Sequence, residues 1–215
     1  IPFYREMRMH WPRFGAFQGE HGAWSEMALD RWDPTLVPVA CRGFAEVFDG
    51  VASGAVDRGV VPVENTLGGA VNEVTDLLIG TPLSIVGEVR LPLQQCLMAL
   101  PGTALSDIRS VRSHPQALLQ CRAFLARHGI TPDPFHDTAG AARWLMFDGA
   151  RGVGVIASPL AARLYGLDIV AEDVADHHAN ETRFVVLSRQ LHTGPADKGS
   201  IVLTTEDRSG ALMQA

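Results

Sequence analysis

The stretch "LSIVGEVRLPLQQCLMAL", residues 83–100, decides the fold. It is long and strand-like, yet Pro92 stands in its middle. A proline has no N–H to give to a ladder, so two strand segments fit and one central strand does not. The two segments read as a crossing between two lobes. On each side of the crossing the chain alternates strand and helix, the rhythm of an α/β layer with parallel strands.

Before the crossing, "RFGAF" (13–17) alternates like a short strand. "QGEHGAWSEMALDRW" (18–32) sets Gly19 and Gly22 ahead of a helical pattern in which Trp24, Met27, Ala28 and Trp32 share a face. "LVPVAC" (36–41) reads as a strand and "GFAEVFDGVASG" (43–54) as a helix closed by glycine. "DRGVVPVENTLGG" (57–69) is a strand running into a polar loop. "AVNEVTDLLIG" (70–80) is a helix with Val71, Val74, Leu77 and Leu78 on one side.

After the crossing come a turn (101–108), a strand "SVRS" (110–113), one helix "PQALLQCRAFLARHG" (115–129), and a strand near "DPFH" (133–136). Helix "TAGAARWLMF" (138–147), strand "GVGVIA" (152–157), helix "SPLAARLYG" (158–166) and strand "LDIVAEDV" (167–174) follow. The polar segment "ADHHANETR" (175–183) then leads into a returning strand, "FVVLS" (184–188). "QLHTGPADKG" (190–199) has the composition of a linker. "GSIVLTTEDRSGALMQA" (199–215) starts a fresh strand-and-turn pattern that cannot bury a core alone, and is expected to open a further domain.

The bulk numbers narrow the function. The chain has 215 residues, 47% hydrophobic and 20% charged, enough for one large core or two smaller ones. A net charge of −6, with no long basic run, argues against nucleic acid as a partner. No apolar run approaches the roughly 18 residues of a membrane span. The opening residues lack the apolar centre and cleavage site of a secretory signal. Cys41, Cys96 and Cys121 are an odd, widely spaced set, which suggests buried reduced thiols in a cytoplasmic protein. The adjacent pair His177-His178 has no partner at zinc-site spacing and reads as a surface loop.

Polar residues collect where an open α/β sheet binds ligands, beyond strand ends. Gly19 to Gly22 serves either as turn chemistry or as a helix start whose free N–H groups attract an anion. Its spacing is that of no phosphate loop. Asn65 or Thr66 could cap the next helix, but Gly68 and Gly69 intervene, which favours a functional reading of Glu64-Asn65-Thr66. Ser113 and His114 precede a helix with Pro115 near its first position, and either could cap it. Gln116 and Gln120 share a face of that helix, as a solvated face or as a site. Asn180, Glu181, Thr182 and Arg183 stand at the mouth of an apolar strand.

Four of these segments, in this order, resemble the prephenate dehydratase family: "VVPVENTLGG", "SIVGEVRLPLQQCL", "SHPQALLQC" and "NETRFVVLSR". "FQGEHGAWSE" is similar to the family's first-strand turn, and the resemblance covers about residues 13–190. It implies a two-lobed fold of the periplasmic-binding-protein type II class, with crossing strands and an interlobe cleft. Residues 1–12 would be a tail and 13–190 the catalytic domain, with lobe 1 at about 13–95 plus 180–190 and lobe 2 at about 96–179. Residues 191–198 would be a linker. The tail 199–215 resembles the start of an ACT regulatory domain, which would make this a truncated form that phenylalanine does not inhibit. A dimer or tetramer is expected when that domain is intact.

The resemblance implies that prephenate loses CO2 and its ring hydroxyl to give phenylpyruvate, with no metal or organic cofactor. Arogenate dehydration is the near alternative, and a non-catalytic two-lobed binding module is the alternative of another class. Thr182 matches the threonine of the family's Thr-Arg-Phe motif and is assigned as a positioned donor or relay. Glu64 is the candidate proton source if buried. Asn65, Ser113 and Gln120 match other family site residues and supply neutral donors. An arginine on the departing carboxylate would stabilise the ground state and slow decarboxylation. Arg183 is therefore expected to face the side-chain carboxylate or to brace the loop. Phe184 either packs the substrate ring or belongs to the core. Gly19, Ser25 and Thr66 complete the expected substrate contacts.

Overall fold

The computed structural model describes residues 12–177, 179–191, 193, 194, 198 and 199. Two mixed sheets organise them. The first has the order β2-β1-β3-β11-β5, from β1 (Phe14–Gln18), β2 (Val37–Cys41), β3 (Arg58–Asn65), β5 (Ser84–Pro92) and β11 (Glu181–Ser188). A short β4 (Gly69–Ala70) folds back on β3. The second sheet has the order β10-β6-β9-β7-β8, from β6 (Cys96–Ala99), β7 (Ser110–Ser113), β8 (Thr131–Pro134), β9 (Val153–Ala157) and β10 (Asp168–Ala171). In each sheet parallel strands meet an antiparallel one, since β11 runs against β3 and β5, and β6 against β9.

The chain passes between the sheets twice, and Pro92 ends the first strand as its missing N–H requires. The two passages hold each other: Leu93 N–H donates to Asn180 O at 2.8 Å, and Val174 N–H to Gln95 O at 2.9 Å. The expected two-lobed α/β fold with crossing strands and a cleft is the one found.

Helices cover both sheets. In the first lobe α1 (Trp24–Trp32), α2 (Phe44–Ser53) and α3 (Asn72–Gly80) follow strands β1, β2 and β4. α2 buries Val47, Phe48 and Val51, a helical spacing, and stops at Gly54 in the left-handed region. α1 buries Ser25, Glu26, Ala28 and Leu29, so its inner face is turned from the one read in the sequence, and Trp32 is exposed at the helix end. In the second lobe the single helix expected over 115–129 is two, α4 (Pro115–Gln120) and α5 (Arg122–Arg127), broken at Cys121 with φ −112° and ψ 15°. α6 (Thr138–Asp148) starts on Asp137, whose carboxylate accepts from the N–H groups of Ala139 and Gly140. α7 (Pro159–Tyr165) starts on Ser158.

Phe17, Val60, Phe184 and Val186 fill one face of the first sheet, and Ala16, Val61, Val185 and Leu187 the other. Alternating residues of β11 thus feed two cores, which is why that strand reads as continuously apolar. Cys96 and Cys121 are buried free thiols, and burial pushes Cys121 up to about 12. No described helix is long and apolar enough to cross a membrane. The expected ACT start at 199–215 lies outside the described residues, Gly199 apart, as does His178.

Candidate active site

Between the two sheets lies a cleft of about 340 Å³, within the range of small-molecule sites. Of the residues expected to act, Thr182, Asn65, Gln120, Phe184, Gly19 and Ser25 line it. Gly19 and Phe184, from opposite ends of the described chain, meet there because β11 returns between β3 and β5.

The register of β3 and β11 sets the wall. Thr182 opposes Asn65 and Arg183 opposes Glu64, then the ladder slips so that Phe184 opposes Pro62. Val63 is the extra residue of a bulge. Regular alternation would send Pro62 and Asn65, three positions apart, to opposite faces. The bulge puts both on the cleft, beside Thr182 and Phe184.

Asn65 caps its own turn and not the helix that follows. Its Oδ1 accepts from the N–H groups of Leu67 at 3.0 Å and Gly68 at 2.7 Å. Backbone N–H groups can only donate, so the amide orientation is fixed, and Nδ2 donates to Thr182 Oγ1 at 2.8 Å. Thr182 is buried, at 6% exposure. Its oxygen accepts from Asn65, which leaves its proton for a partner in the cleft.

The opposite wall comes from the second lobe. Gln116 and Gln120, one turn apart on α4, both face the cleft. His114 caps α4 through Nδ1, which accepts from Gln116 N–H at 3.2 Å. Ser25 is buried in the first turn of α1, whose start at Ala23 has no side-chain cap. That leaves a helix start suited to a carboxylate.

Four expected residues do not line the cleft. Arg183 follows Thr182 by one position, so the strand turns it to the other face. There its Nε lies 3.4 Å from Glu64 Oε2 and its Nη1 3.5 Å from Glu88 Oε2. Its partners are thus Glu64 on β3 and Glu88 on β5, where a substrate carboxylate or the loop was expected. Glu64 is exposed in that same pair, on the wrong side of the sheet for a proton source. Ser113 is wholly buried beneath the cleft, its Oγ donating to Ile156 O at 2.6 Å, which ties β7 to β9. Thr66 staples the Asn65 turn to the approach of β11: its Oγ1 accepts from Glu181 N–H and donates to Ala179 O.

Several cleft residues were not anticipated: Leu93, Gln95, His136 and Asp137. His136 and Asp137 follow a parallel strand, a position that marks ligand sites, and that signal could have found them. The polar segment 180–183 is also more than a loop before a strand, since β11 begins at Glu181 and pairs on both sides. Burial pushes the Asp137 carboxyl above the usual aspartate range, while the N–H groups of Ala139 and Gly140 pull it the other way. Asp137 is the one carboxylate among the described residues lining the cleft, and no lysine or arginine is among them.

The turn after β1 is latched to the second lobe. Ser158 Oγ donates to Gly22 O at 2.5 Å, Tyr165 OH to His21 O at 2.7 Å, and Arg143 Nη1 pairs with Glu20 Oε2 at 2.8 Å. Gly22 has φ +91°, and a Cβ there would stand 2.8 Å from Ala161 Cα. Only glycine fits both the dihedral and the approach.

Comparison with known proteins gives a family. The profile described as "Prephenate dehydratase" matches residues 16–192. The chain is 42% identical over 203 residues to "Arogenate dehydratase/prephenate dehydratase 2, chloroplastic" of Arabidopsis thaliana, covering 93% of this chain and 53% of that protein. Among solved structures it is similar to a prephenate dehydratase in complex with L-Phe from Arthrobacter aurescens. That match has 31% identity and a TM-score of 0.80, and covers 93% of this chain and 69% of the other. It is also similar to GqqA, described as a novel type of quorum quenching acylase, with 37% identity, a TM-score of 0.79, and coverage of 86% and 67%. The chain spans about half the length of the curated relatives it matches.

Proposed function

This chain belongs to the prephenate dehydratase family, and on that footing we propose that it carries the catalytic cleft of a carbon–oxygen lyase of phenylalanine biosynthesis. The reaction is the decarboxylating dehydration of a prephenate-type acid. The bond to the ring carboxylate breaks and CO2 departs, its electron pair enters the ring, and the ring C–O bond breaks at the far end. The oxygen takes up a proton and leaves as water, and the ring becomes aromatic. Prephenate gives phenylpyruvate.

The observation that carries this reading is the Thr182 hydroxyl, held as an acceptor by Asn65 and so left to donate into the cleft. A donor fixed before the reaction starts stabilises negative charge as it develops on the leaving oxygen. Gln120 faces Thr182 from the other lobe and adds a neutral donor. The lack of a lysine or arginine among the described lining residues fits the step. A cation clamped on the departing carboxylate would stabilise the ground state more than the transition state. The open start of α1, with Ser25, would hold the carboxylate that stays. Phe184 would pack the ring. Glu64, Arg183, Ser113 and Thr66 would act as supports behind these groups.

A second reading concerns the substrate's side chain. Arogenate carries an ammonium group where prephenate carries a keto oxygen. Asp137 gives the cleft an acceptor for that group, which favours arogenate. Incubating the chain with each acid tests both readings: phenylpyruvate forms from prephenate and phenylalanine from arogenate. Formation of neither would leave the non-catalytic binding module.

The finer readings also belong here. The sequence 199–212 supports an ACT domain start, and with it assembly into a dimer or tetramer. The free thiols support a reducing compartment such as the cytoplasm. The two sheets support a lobe division near residues 95 and 180.

A further inference from the structure

Asn180 sits where the second crossing enters β11, is 2% exposed, and does not line the cleft. Its amide joins the two lobes. Asn65 Nδ2 donates to Asn180 Oδ1 at 2.7 Å, and Asn180 Nδ2 donates to Gln120 Oε1 at 3.2 Å. Gln95 Nε2 donates to the same Gln120 oxygen at 3.2 Å. The direction of every bond follows from the backbone. The N–H groups of Leu67 and Gly68 fix Asn65 Oδ1, so Asn65 presents its NH2 to Asn180. Asn180 must then present oxygen to Asn65 and NH2 to Gln120. Gln120 presents oxygen to Asn180 and Gln95, and its own NH2 remains for the cleft.

We propose that Asn180 is a positioning residue that transmits the polarity of the Asn65 turn across the lobe junction, so that Gln120 presents a donor and not an acceptor to the substrate. One turn of backbone thereby sets two donors in opposite walls, the Thr182 hydroxyl and the Gln120 amide. The buried Gln95 Oε1, which has no hydrogen-bond partner, fits such a chain. Gln95 spends its NH2 on holding Gln120 in this orientation and leaves its own oxygen unpaired. This inference rests on the dehydratase reading for its catalytic consequence but not for the geometry.

Asn180→Asp isolates the link. The aspartate keeps an oxygen for Asn65 and, when ionised, turns a second oxygen toward Gln120 Oε1. Gln120 must then turn over and offer oxygen to the cleft. At pH 8 kcat is expected to fall on the order of 10²-fold, the size of one lost positioned donor, with KM within roughly threefold. The deficit relative to wild type is expected to shrink as the pH falls, because the protonated carboxyl donates as the amide did. In a Gln120→Ala background the same substitution should cost less than about threefold, since the two act through one bond. A deficit that is independent of pH and equally large without Gln120 overturns the proposal.

A second readout needs no turnover. With 15N-labelled glutamine, the side-chain signal that disappears in Gln120→Ala should move in Asn180→Asp at pH 8. If it stays in place, the relay is wrong whatever the activity. If it moves while the wild-type chain turns over neither acid, the relay stands and the dehydratase reading falls.

Discussion

Thr182 and Arg183 are neighbours in sequence and face opposite sides of one strand, and this divides their roles. Thr182 points into the cleft, and Arg183 braces Glu64 and Glu88 behind it. Arg183→Lys should therefore keep kcat within about threefold. The contacts are long and partly exposed, and such pairs contribute roughly 0–1 kcal/mol; a steady-state comparison of the two proteins checks it. The sequence motifs pointed to Thr182, Asn65 and Gln120, which line the cleft, but could not place Glu64. Its side depends on the bulge at Val63, a change of register that leaves no mark on composition or spacing. Asp137 gives no sequence signal of its own for a related reason: a helix-capping aspartate looks the same whether or not a cleft lies beside it. If Asp137 receives an ammonium group, Asp137→Asn should lower kcat/KM for arogenate about tenfold or more, the loss of one charge-assisted hydrogen bond, and spare prephenate. The pH dependence has a definite sign. Burial raises the Asp137 proton affinity, so acidification neutralises it earlier than an ordinary aspartate. Arogenate turnover should fall on the acid side before prephenate turnover does, and parallel profiles would remove Asp137 from substrate selection.

The crossing was the most legible element, because Pro92 forbids a continuous strand and forces the division into β5 and β6. The returning strand was legible as apolar but not in its extent. Its first three residues are polar, yet Thr182 and Arg183 pair with both β3 and β5, and Glu181 with β5. Ladder position outweighs composition there. The α4–α5 break at Cys121 was hidden for the opposite reason, since residues 115–129 have helical spacing throughout. The glycines of the turn after β1 suit either a tight turn or an anion-binding helix start, and the turn has a third use: it docks on α7. Gly22→Ala would set a methyl against the Ala161 backbone in a dihedral that disfavours side chains. The expected cost is about 2–4 kcal/mol from overpacking and strain. Thermal unfolding would show it as a Tm lowered by roughly 2–4 °C per kcal/mol. An unchanged Tm would mean that the contact between this turn and α7 yields freely.

Across the whole molecule, two sheets joined by two antiparallel passages bring a threonine, two neutral amides and an open helix start to one cleft. The protein's net charge is −6, and its proposed substrates are anions. Attraction must come from local N–H groups and helix starts, because the overall field opposes it. That economy suits a reaction whose driving force, aromatisation, lies in the substrate and which needs charge stabilised at one leaving oxygen. The most direct test is kcat for product formation from prephenate and arogenate by this chain and by its Thr182→Ala variant, with folding checked by circular dichroism. The wild-type chain should turn over at least one of the two acids, and the folded variant should be slower by about 10²–10³. A folded variant that matches the wild type would show that the Thr182 hydroxyl does not serve the leaving group.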